Sequence, residues 1–312
     1  MIALRETECC ALAGTECRPT PLRRRAGRPQ LKRDPLGSGF SAMAFTVATY
    51  NVLASAYIKP QWYPNTPNEL LRPEHRIPAL SQYARQLDAD ILCLQEVEDT
   101  TFGNLGAALA GCGYRGALKK GQARPDGCAV FVRNYPSKTR LLPLVFHDAP
   151  DGQHPSGHVA QILMLPIEGH TLGLINTHLK WDPPNTPTTE QFGYRQVLEL
   201  LRVHRTLAPE CSGWIICGDF NTTPHSDVVA ALTAAGFESA HPLFSPAATC
   251  NANRVAKMID YLFHDAALHA EALPLPDVGN ETALPGPHEP SDHVAVVARF
   301  EWRTNPSRTA AA

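Results

Sequence analysis

Short apolar runs of strand length alternate with segments of helical spacing, and this alternation constrains the fold more than any other feature of the sequence. Residues 45–51 and 90–95 are apolar runs, whereas 74–87 and 190–207 repeat apolar residues with the period of a helix. Proline accounts for 28 of the 312 residues and breaks helices and central strands, so coiled coils and long helical arrays are excluded. We predict one domain of layered strands and helices over residues 44–303.

Basic and acidic residues are distributed unevenly, although the net charge is only −2. Residues 1–42 carry eight Lys or Arg against four Asp or Glu, and the rest of the chain carries 20 against 26. We expect 1–42 to be a disordered basic tail, with a start-site misassignment before Met43, a nucleic-acid-binding arm or a transit peptide as alternatives. Residues 304–312 are expected to be a second disordered tail. The acidic body argues against binding to long duplex DNA, because phosphate neutralisation drives that binding.

Cysteine usage and hydropathy narrow the class of protein further. The nine cysteines form no C-x-x-C pair, which argues against a disulfide framework, a zinc knuckle and a thioredoxin-like site. No apolar stretch reaches the roughly 18 residues of a transmembrane helix. We therefore expect a reduced, cytoplasmic protein without membrane insertion. The H-E-x-x-H, G-x-S-x-G and Walker-type sequences of zincins, serine hydrolases and P-loop proteins are also absent.

Polar side chains recur where predicted strands end or begin. They are Asn51, Glu96, His178, Asp219, Asn221, Asp260, Asp292 and His293. Carboxylates and amides without thiolates suit a hard cation such as Mg²⁺ or Mn²⁺, and two imidazoles suit proton transfer or phosphate stabilisation near neutral pH. Metal-assisted hydrolysis of a phosphate ester needs this combination. Each residue also has a structural interpretation, as a turn or surface residue.

Seven short motifs stand in the order found in the endonuclease/exonuclease/phosphatase superfamily, which resembles DNase I in fold. They are Tyr50-Asn51-Val52-Leu53, Leu94-Gln95-Glu96-Val97, Asp126-Gly127-Cys128-Ala129, Asn176-Thr177-His178-Leu179, Cys217-Gly218-Asp219-Phe220-Asn221, Ile259-Asp260-Tyr261 and Ser291-Asp292-His293. Within the superfamily, the sequence looks most similar to the branch of nocturnin, the poly(A) deadenylases and the 2′-phosphodiesterases. The resemblance implies an α+β fold, a four-layered sandwich of two packed, mainly antiparallel β-sheets flanked by helices.

The resemblance also implies roles for individual residues. For the metal it implies Glu96 as the principal ligand, Asn51 as the amide that assists the metal site or orients Glu96, and Asp292 as a second contact. For catalysis it implies Asp219 and Asn221 at the attacking water, His178 and His293 at the phosphate, and Asp260 orienting His293. For substrate binding it implies Lys180, which would share a strand face with His178, and Asp126, which could instead brace the site. Nocturnin-like sequences carry an arginine shortly after this lysine; here Arg195 is the candidate to replace it.

These residues predict a Mg²⁺- or Mn²⁺-dependent phosphoesterase that acts by in-line attack of water. A 3′-exonuclease acting on RNA is the first interpretation, with RNA or a nucleotide as partner and no obligate protein partner. The alternatives are a nucleotide or sugar phosphatase, such as a nocturnin-like 2′-phosphatase, a phospholipid headgroup phosphodiesterase, and a non-catalytic scaffold of the same fold. Trp62, Tyr63 and Trp181 are candidates for stacking on a base, or else ordinary rim or core aromatics.

Overall fold

The computed structural model describes residues 44–149, 152–245 and 247–303, so both expected tails, 1–42 and 304–312, lie outside the described residues. The strands are β1 (Phe45–Asn51), β2 (Ile91–Gln95), β3 (Tyr114–Lys120), β4 (Gly127–Arg133), β5 (Arg140–Val145), β6 (Val159–Ile167), β7 (His170–His178), β8 (Gly213–Asp219), β9 (Glu238–Ser239), β10 (Cys250–Ala252), β11 (Val255–Lys257), β12 (Asp260–His264), β13 (Leu268–Ala272) and β14 (Val296–Trp302). The α-helices are α1 (Pro73–Leu87), α2 (Asp99–Ala110), α3 (Phe192–Leu207) and α4 (Asp227–Ala234).

Two six-stranded sheets form the centre of the fold. One has the order β13-β14-β1-β2-β4-β3, and the other has the order β5-β6-β7-β8-β12-β9. Each sheet contains one parallel pair, β1 with β2 and β7 with β8, and its other pairs are antiparallel. Strands β10 and β11 form a separate hairpin. The predicted α+β sandwich with mainly antiparallel sheets is confirmed.

Successive side chains along each strand point to opposite faces of its sheet, which produces one apolar layer between the sheets and one beneath the helices on each outer face. Val47 of β1 and Leu174 of β7 lie in the apolar layer between the two sheets. Their chain neighbours Ala48 and Ile175 point to the opposite faces, where Ala48 packs with α1 and α2, and Ile175 packs with α3 and α4. Because successive residues of a strand face opposite sides, each sheet is apolar on both faces. None of the described helices combines the length and apolarity needed to cross a membrane.

The two parallel pairs place the ends of four strands at the same edge of the sandwich. Asn51 at the end of β1 lies beside Gln95 of β2, and His178 at the end of β7 lies beside Asp219 of β8. The antiparallel strand β12 begins there too, with Asp260 opposite Asp219. Residues far apart in sequence therefore meet at this edge.

Several element boundaries differ from the predictions. Strands β3 and β13 were not predicted, because they are edge strands whose exposed positions carry polar residues. The last strand begins at Val296, not at His293, which instead forms an isolated bridge with Cys250. Helix α3 begins at Phe192, because the preceding residues form a separate turn of 3₁₀-helix.

Candidate active site at the strand ends

Asp219 lies at the centre of the polar cluster and is almost fully buried. Its Oδ2 accepts a hydrogen bond from Asn51 Nδ2 at 2.9 Å, and its Oδ1 accepts one from the Asn221 backbone amide at 2.8 Å. The Nε2 atoms of His178 and His293 lie 3.6 and 3.8 Å from Oδ2. Burial and the neighbouring carboxylate of Asp260 raise the pKa of Asp219 to about 7. Its carboxylate can therefore exchange a proton near neutral pH.

The turn that follows β8 holds Asp219 in place. Gly218 has φ of +142°, and a Cβ atom there would lie 1.8 Å from the carbonyl oxygen of Thr177, so only glycine fits. Asn221 has φ of 52°, in the left-handed region that asparagine tolerates better than most residues. The Gly-Asp-Phe-Asn sequence is thus the local cause of the geometry.

Asp260 and His293 form a buried pair. Nδ1 of His293 lies 2.9 Å from Oδ2 of Asp260, and Thr249 Oγ1 donates to the same carboxylate at 2.6 Å. Burial opposes the charge on His293, but Asp260 and then Cys250 outweigh it and raise the pKa of the ring well above its ordinary value. His293 is therefore an imidazolium at neutral pH, with Nε2–H directed toward the centre of the cluster.

His178 has the opposite protonation state. Asn221 Nδ2 donates to the carbonyl of Leu179 at 3.0 Å and lies 2.9 Å from Nε2 of His178, which must therefore accept. Burial and then the charge of Arg124 lower the pKa of His178 to about 3. The ring is neutral, with its proton on Nδ1, and its hydrogen bond orients the Asn221 amide.

Glu96 and Asp292 bring two further carboxylates to the cluster. Glu96 accepts hydrogen bonds from the Ala54 amide at 2.8 Å and from Asn51 Nδ2 at 3.1 Å. Asp292 accepts one from the Tyr63 hydroxyl at 3.0 Å. Burial, and next the negative charge of Asp292, raise the pKa of Glu96 to about 7. Glu96 is half-buried and Asp292 is buried, and their carboxylate oxygens match the donors that a hard divalent cation prefers. Asn51 turns Nδ2 toward Glu96, while its Oδ1 accepts from the Leu53 amide at 2.9 Å, so Asn51 orients Glu96.

Among the described residues, two triads each bring three potential ligand atoms within 4.8 Å of one another: Asp219–Asp260–His293 and Cys250–Asp292–His293. Neither triad is well suited to a cation. Asp260 and His293 already satisfy each other, and burial raises the pKa of the Cys250 thiol, which disfavours the thiolate. The donor chemistry therefore favours the carboxylates of Glu96 and Asp292 over these triads, with Asn51 orienting Glu96.

Arg76 of α1 joins the two loops that carry the site, and the sequence offered no signal for it. Its fully buried guanidinium donates to the carbonyls of Val52 at 2.6 Å, Leu53 at 2.8 Å and Pro290 at 3.0 Å. The loop after β1 is thereby tied to the segment that precedes Asp292.

Two of the three residues predicted to bind substrate, Lys180 and Arg195, make no side-chain hydrogen bond to this cluster within the described part of the chain. Strand β7 ends at His178, so the shared strand face expected for Lys180 does not exist, and its Nζ lies 5.2 Å from the centre of the Phe192 ring. Arg195 Nε donates to the carbonyl of Thr189 near the start of α3.

Asp126, the third residue predicted to bind substrate, lines a cleft together with His178. It is buried and accepts a hydrogen bond from the Tyr57 hydroxyl, and Arg124 Nε lies 3.4 Å from its Oδ1. Of the three aromatic candidates, Trp62 and Trp181 are 36% and 49% exposed. Tyr63 is buried and its hydroxyl is bonded to Asp292, which matches the alternative of a core aromatic.

Similarity to curated proteins covers most of the chain. The chain is 26% identical to "Carbon catabolite repressor protein 4 homolog 4" of Arabidopsis thaliana, over 85% of its own length and 79% of that protein. It is 28% identical to the "CCR4-Not complex 3′-5′-exoribonuclease subunit Ccr4" of Saccharomyces cerevisiae and 26% identical to "2′,5′-phosphodiesterase 12" of Mus musculus. The chain spans 42% of the yeast protein and 51% of the mouse protein.

Solved structures share the fold. ANGEL2, described as a 2′,3′-cyclic phosphatase in complex with adenosine-2′,3′-vanadate, superposes with a TM-score of 0.73 at 21% identity, over 84% of this chain and 96% of that one. The catalytic domain of human nocturnin, with bound sulfate, superposes with a TM-score of 0.63 at 25% identity, over 83% of this chain and 94% of that one. The sequence profile described as "Endonuclease/Exonuclease/phosphatase family" matches residues 48–293, from β1 to the proposed phosphate-facing histidine. The chain therefore belongs to this family of divalent-metal-dependent phosphoester hydrolases.

Proposed function

We propose that this protein is a 3′-exonuclease that hydrolyses RNA phosphodiesters by in-line attack of water, and that residues 44–303 form its single catalytic domain. The arrangement around Asp219 carries the proposal: a buried carboxylate with a pKa near 7 lies within 4 Å of the Nε2 atoms of His178 and His293. The relatives named as exoribonuclease and phosphodiesterase support a polynucleotide substrate.

Glu96 and Asp292 would hold Mg²⁺ or Mn²⁺, and Asn51, the third residue predicted at the metal, would assist by orienting Glu96 through Nδ2. When bound, such an ion neutralises phosphate oxygens and assists departure of the leaving oxygen. Asp219 accepts a hydrogen bond from the attacking water and takes its proton. Asn51 and the Asn221 backbone amide keep the Asp219 carboxylate oriented during this step.

The two histidines act differently in this mechanism. His293, kept charged by Asp260, donates from Nε2 to a phosphate oxygen, and a preorganised donor of this kind contributes about 3–4 kcal/mol. His178 is neutral and its Nε2 accepts from Asn221. We therefore assign His178 to orienting the Asn221 amide, in place of the direct phosphate contact that the resemblance implies.

We also propose a cytoplasmic location. The six cysteines in the described part of the chain are all free, and Cys93, Cys128 and Cys217 are buried among apolar residues, as is usual for proteins of a reducing compartment. RNA or a nucleotide is the proposed partner. The yeast relative is named as a subunit of a larger complex, so the test below uses the isolated chain to learn whether it acts without another protein.

The test is a panel of substrates incubated with the full chain and Mg²⁺ or Mn²⁺: poly(A) RNA, single-stranded DNA, NADPH and inositol phosphates. We expect release of adenosine monophosphate from the RNA, inhibition by EDTA, and loss of activity in Asp219→Asn and Glu96→Gln. Release of the 2′-phosphate of NADPH alone would instead identify a nucleotide phosphatase. Activity that survives EDTA would contradict the metal, and absence of hydrolysis across the panel would contradict the proposed activity.

A further inference from the structure

A narrow cleft opens beside the Asp219 cluster, on the far side of His178. Its walls include Arg124, Asp126, His158 and His178, and it encloses about 180 Å³, counting the space open to solvent. The enclosed part of the cleft holds about one water molecule, so a single hydroxyl group fits there while the rest of a nucleotide lies in the part that is open to solvent. The mechanism above uses neither His158 nor Arg124.

The orientation of His158 determines what it can bind. Its Nδ1 lies 2.8 Å from the carbonyl oxygen of His178, which can only accept, so Nδ1 carries a proton. Burial, then His178 and Arg124, lower the pKa of His158 to about 3, so the ring is neutral and Nε2 presents a lone pair. Nε2 has no hydrogen-bond partner among residues 44–149, 152–245 and 247–303 and is not sealed from solvent. His158 therefore offers the cleft an acceptor that a ligand must satisfy with a donor.

The rest of the cleft combines one cation with a second acceptor. Asp126 is 2% exposed, and it accepts from the Tyr57 hydroxyl. The Arg124 guanidinium lies 5.6 Å from the centre of the Tyr57 ring and is partly exposed, with Nε 3.4 Å from Asp126. A phosphate alone would meet the lone pair of His158 and the charge of Asp126. A hydroxyl group can donate a hydrogen bond to His158, and a phosphate attached next to it can face the charge of Arg124.

The cleft adjoins the catalytic cluster on two sides. Gly127 lines it and exchanges two backbone hydrogen bonds with Val97, the residue after Glu96, at 3.0 and 3.1 Å. His178 forms the boundary with Asn221, and its ring meets the His158 ring edge to face, with centroids 5.0 Å apart. A sugar whose hydroxyl group enters the cleft would therefore lie next to a phosphate held at Asp219.

We propose that this cleft is a subsite for a ribose hydroxyl group, in which Nε2 of His158 accepts a hydrogen bond from the 2′-hydroxyl of the nucleotide beside the scissile phosphate and Arg124 faces the adjoining phosphate. The proposal rests on the proposed RNA exonuclease function and adds a basis for choosing RNA over DNA. A buried acceptor left unpaired by a deoxyribose disfavours DNA.

The kinetic test compares oligoadenylates that carry a 2′-hydroxyl, a 2′-fluorine or a 2′-hydrogen. Fluorine cannot donate a hydrogen bond but keeps an RNA-like sugar, so it separates donation from sugar shape. We expect kcat/KM to be about three- to tenfold higher for the hydroxyl than for both others, in line with one hydrogen bond. In His158→Asn this preference should disappear, because the amide can still donate to the His178 carbonyl but lacks the Nε2 acceptor.

The control variant is His269→Asn, which changes an exposed imidazole on β13 and should retain the preference. Equal rates of the wild type for the hydroxyl and fluoro substrates would overturn the subsite without any variant. A preference that persists in folded His158→Asn would overturn the role of His158.

Binding separates the subsite from the activity. Dissociation constants of the three oligoadenylates are measured for Asp219→Asn, with and without His158→Asn. If the hydroxyl form binds more tightly and this difference depends on His158, the subsite is supported. That holds even if the wild type hydrolyses none of the three oligoadenylates, because absence of hydrolysis would contradict only the exonuclease function. Equal binding of all three would overturn the subsite and leave the exonuclease standing.

Discussion

His293 and Asp260 form a fully buried ion pair, with Nδ1 of the ring 2.9 Å from Oδ2 of the carboxylate. The carboxylate holds the ring in one orientation and keeps it charged, which leaves Nε2–H as the donor that we propose for the phosphate. A similar division of labour, in which a buried carboxylate orients an imidazole, occurs in serine proteases. Here the ring is charged at rest and acts as a fixed donor.

Asp260→Asn should lower kcat by about 10²- to 10³-fold, since the pair supplies one preorganised charged donor. The pKa of His293 is raised in the folded protein, so the charged form is complete at low pH and is lost only as pH rises through that raised value. In the variant this loss should move down toward the ordinary value near 6.5. Measurement of kcat against pH checks this, with Asp277→Asn, an exposed loop carboxylate, as control. An unchanged alkaline limb would contradict the role of Asp260.

Metal binding should depend on the ionisation of Glu96. Because burial and Asp292 raise the pKa of Glu96 to about 7, protons compete with the cation below that pH. We expect the apparent affinity for Mg²⁺ or Mn²⁺ to increase about tenfold per pH unit up to about pH 7 and then to level off. The rise in melting temperature on adding metal, measured from pH 5.5 to 8.5, reports this. Glu96→Gln should show a smaller rise that is independent of pH; an identical pH dependence would contradict the assignment.

Gly218→Ala should destabilise the protein and misplace Asp219. The new Cβ would lie 1.8 Å from the Thr177 carbonyl oxygen, at a φ of +142° that alanine rarely adopts. We expect the free energy of unfolding to fall by about 2–4 kcal/mol. Gly103→Ala in α2 is the matched control, because a Cβ there meets no atom within 4 Å; it should stabilise the helix by about 0.5–1 kcal/mol. Urea unfolding measures both, and equal effects would contradict the steric argument.

Arg76→Met should lower both the free energy of unfolding and the activity of the protein. The change leaves the carbonyls of Val52, Leu53 and Pro290 without their donor in a buried place, so we expect a loss of about 3–5 kcal/mol. Arg85→Met, an exposed change on the same helix, should alter the unfolding free energy by about 0.5 kcal/mol or less. A similar small effect of Arg76→Met in urea unfolding would show that the two loops hold together without it.

Much of the fold followed from local patterns. The predicted strand at 127–133 matches β4, and the hairpin at 159–177 matches β6 and β7, because buried strands appear as continuous apolar runs. The edge strands β3 and β13 could not be predicted in this way, because their exposed positions carry polar residues and interrupt the apolar run. Arg76 could not be found either: its acceptor Pro290 lies 214 residues away, and no short-range pattern records such a contact.

The sequence by itself determined which residues could meet at the site, because polar side chains at the ends of apolar strands, in the order of a known family, leave few alternatives. The tertiary structure alone decided what each does. His178 and His293 are the same residue type at the ends of predicted strands, yet one is neutral and accepts while the other is charged and donates. Protonation depends on burial and on neighbouring charges, and these come from residues distant in sequence: Arg124 for His178, and Asp260 for His293.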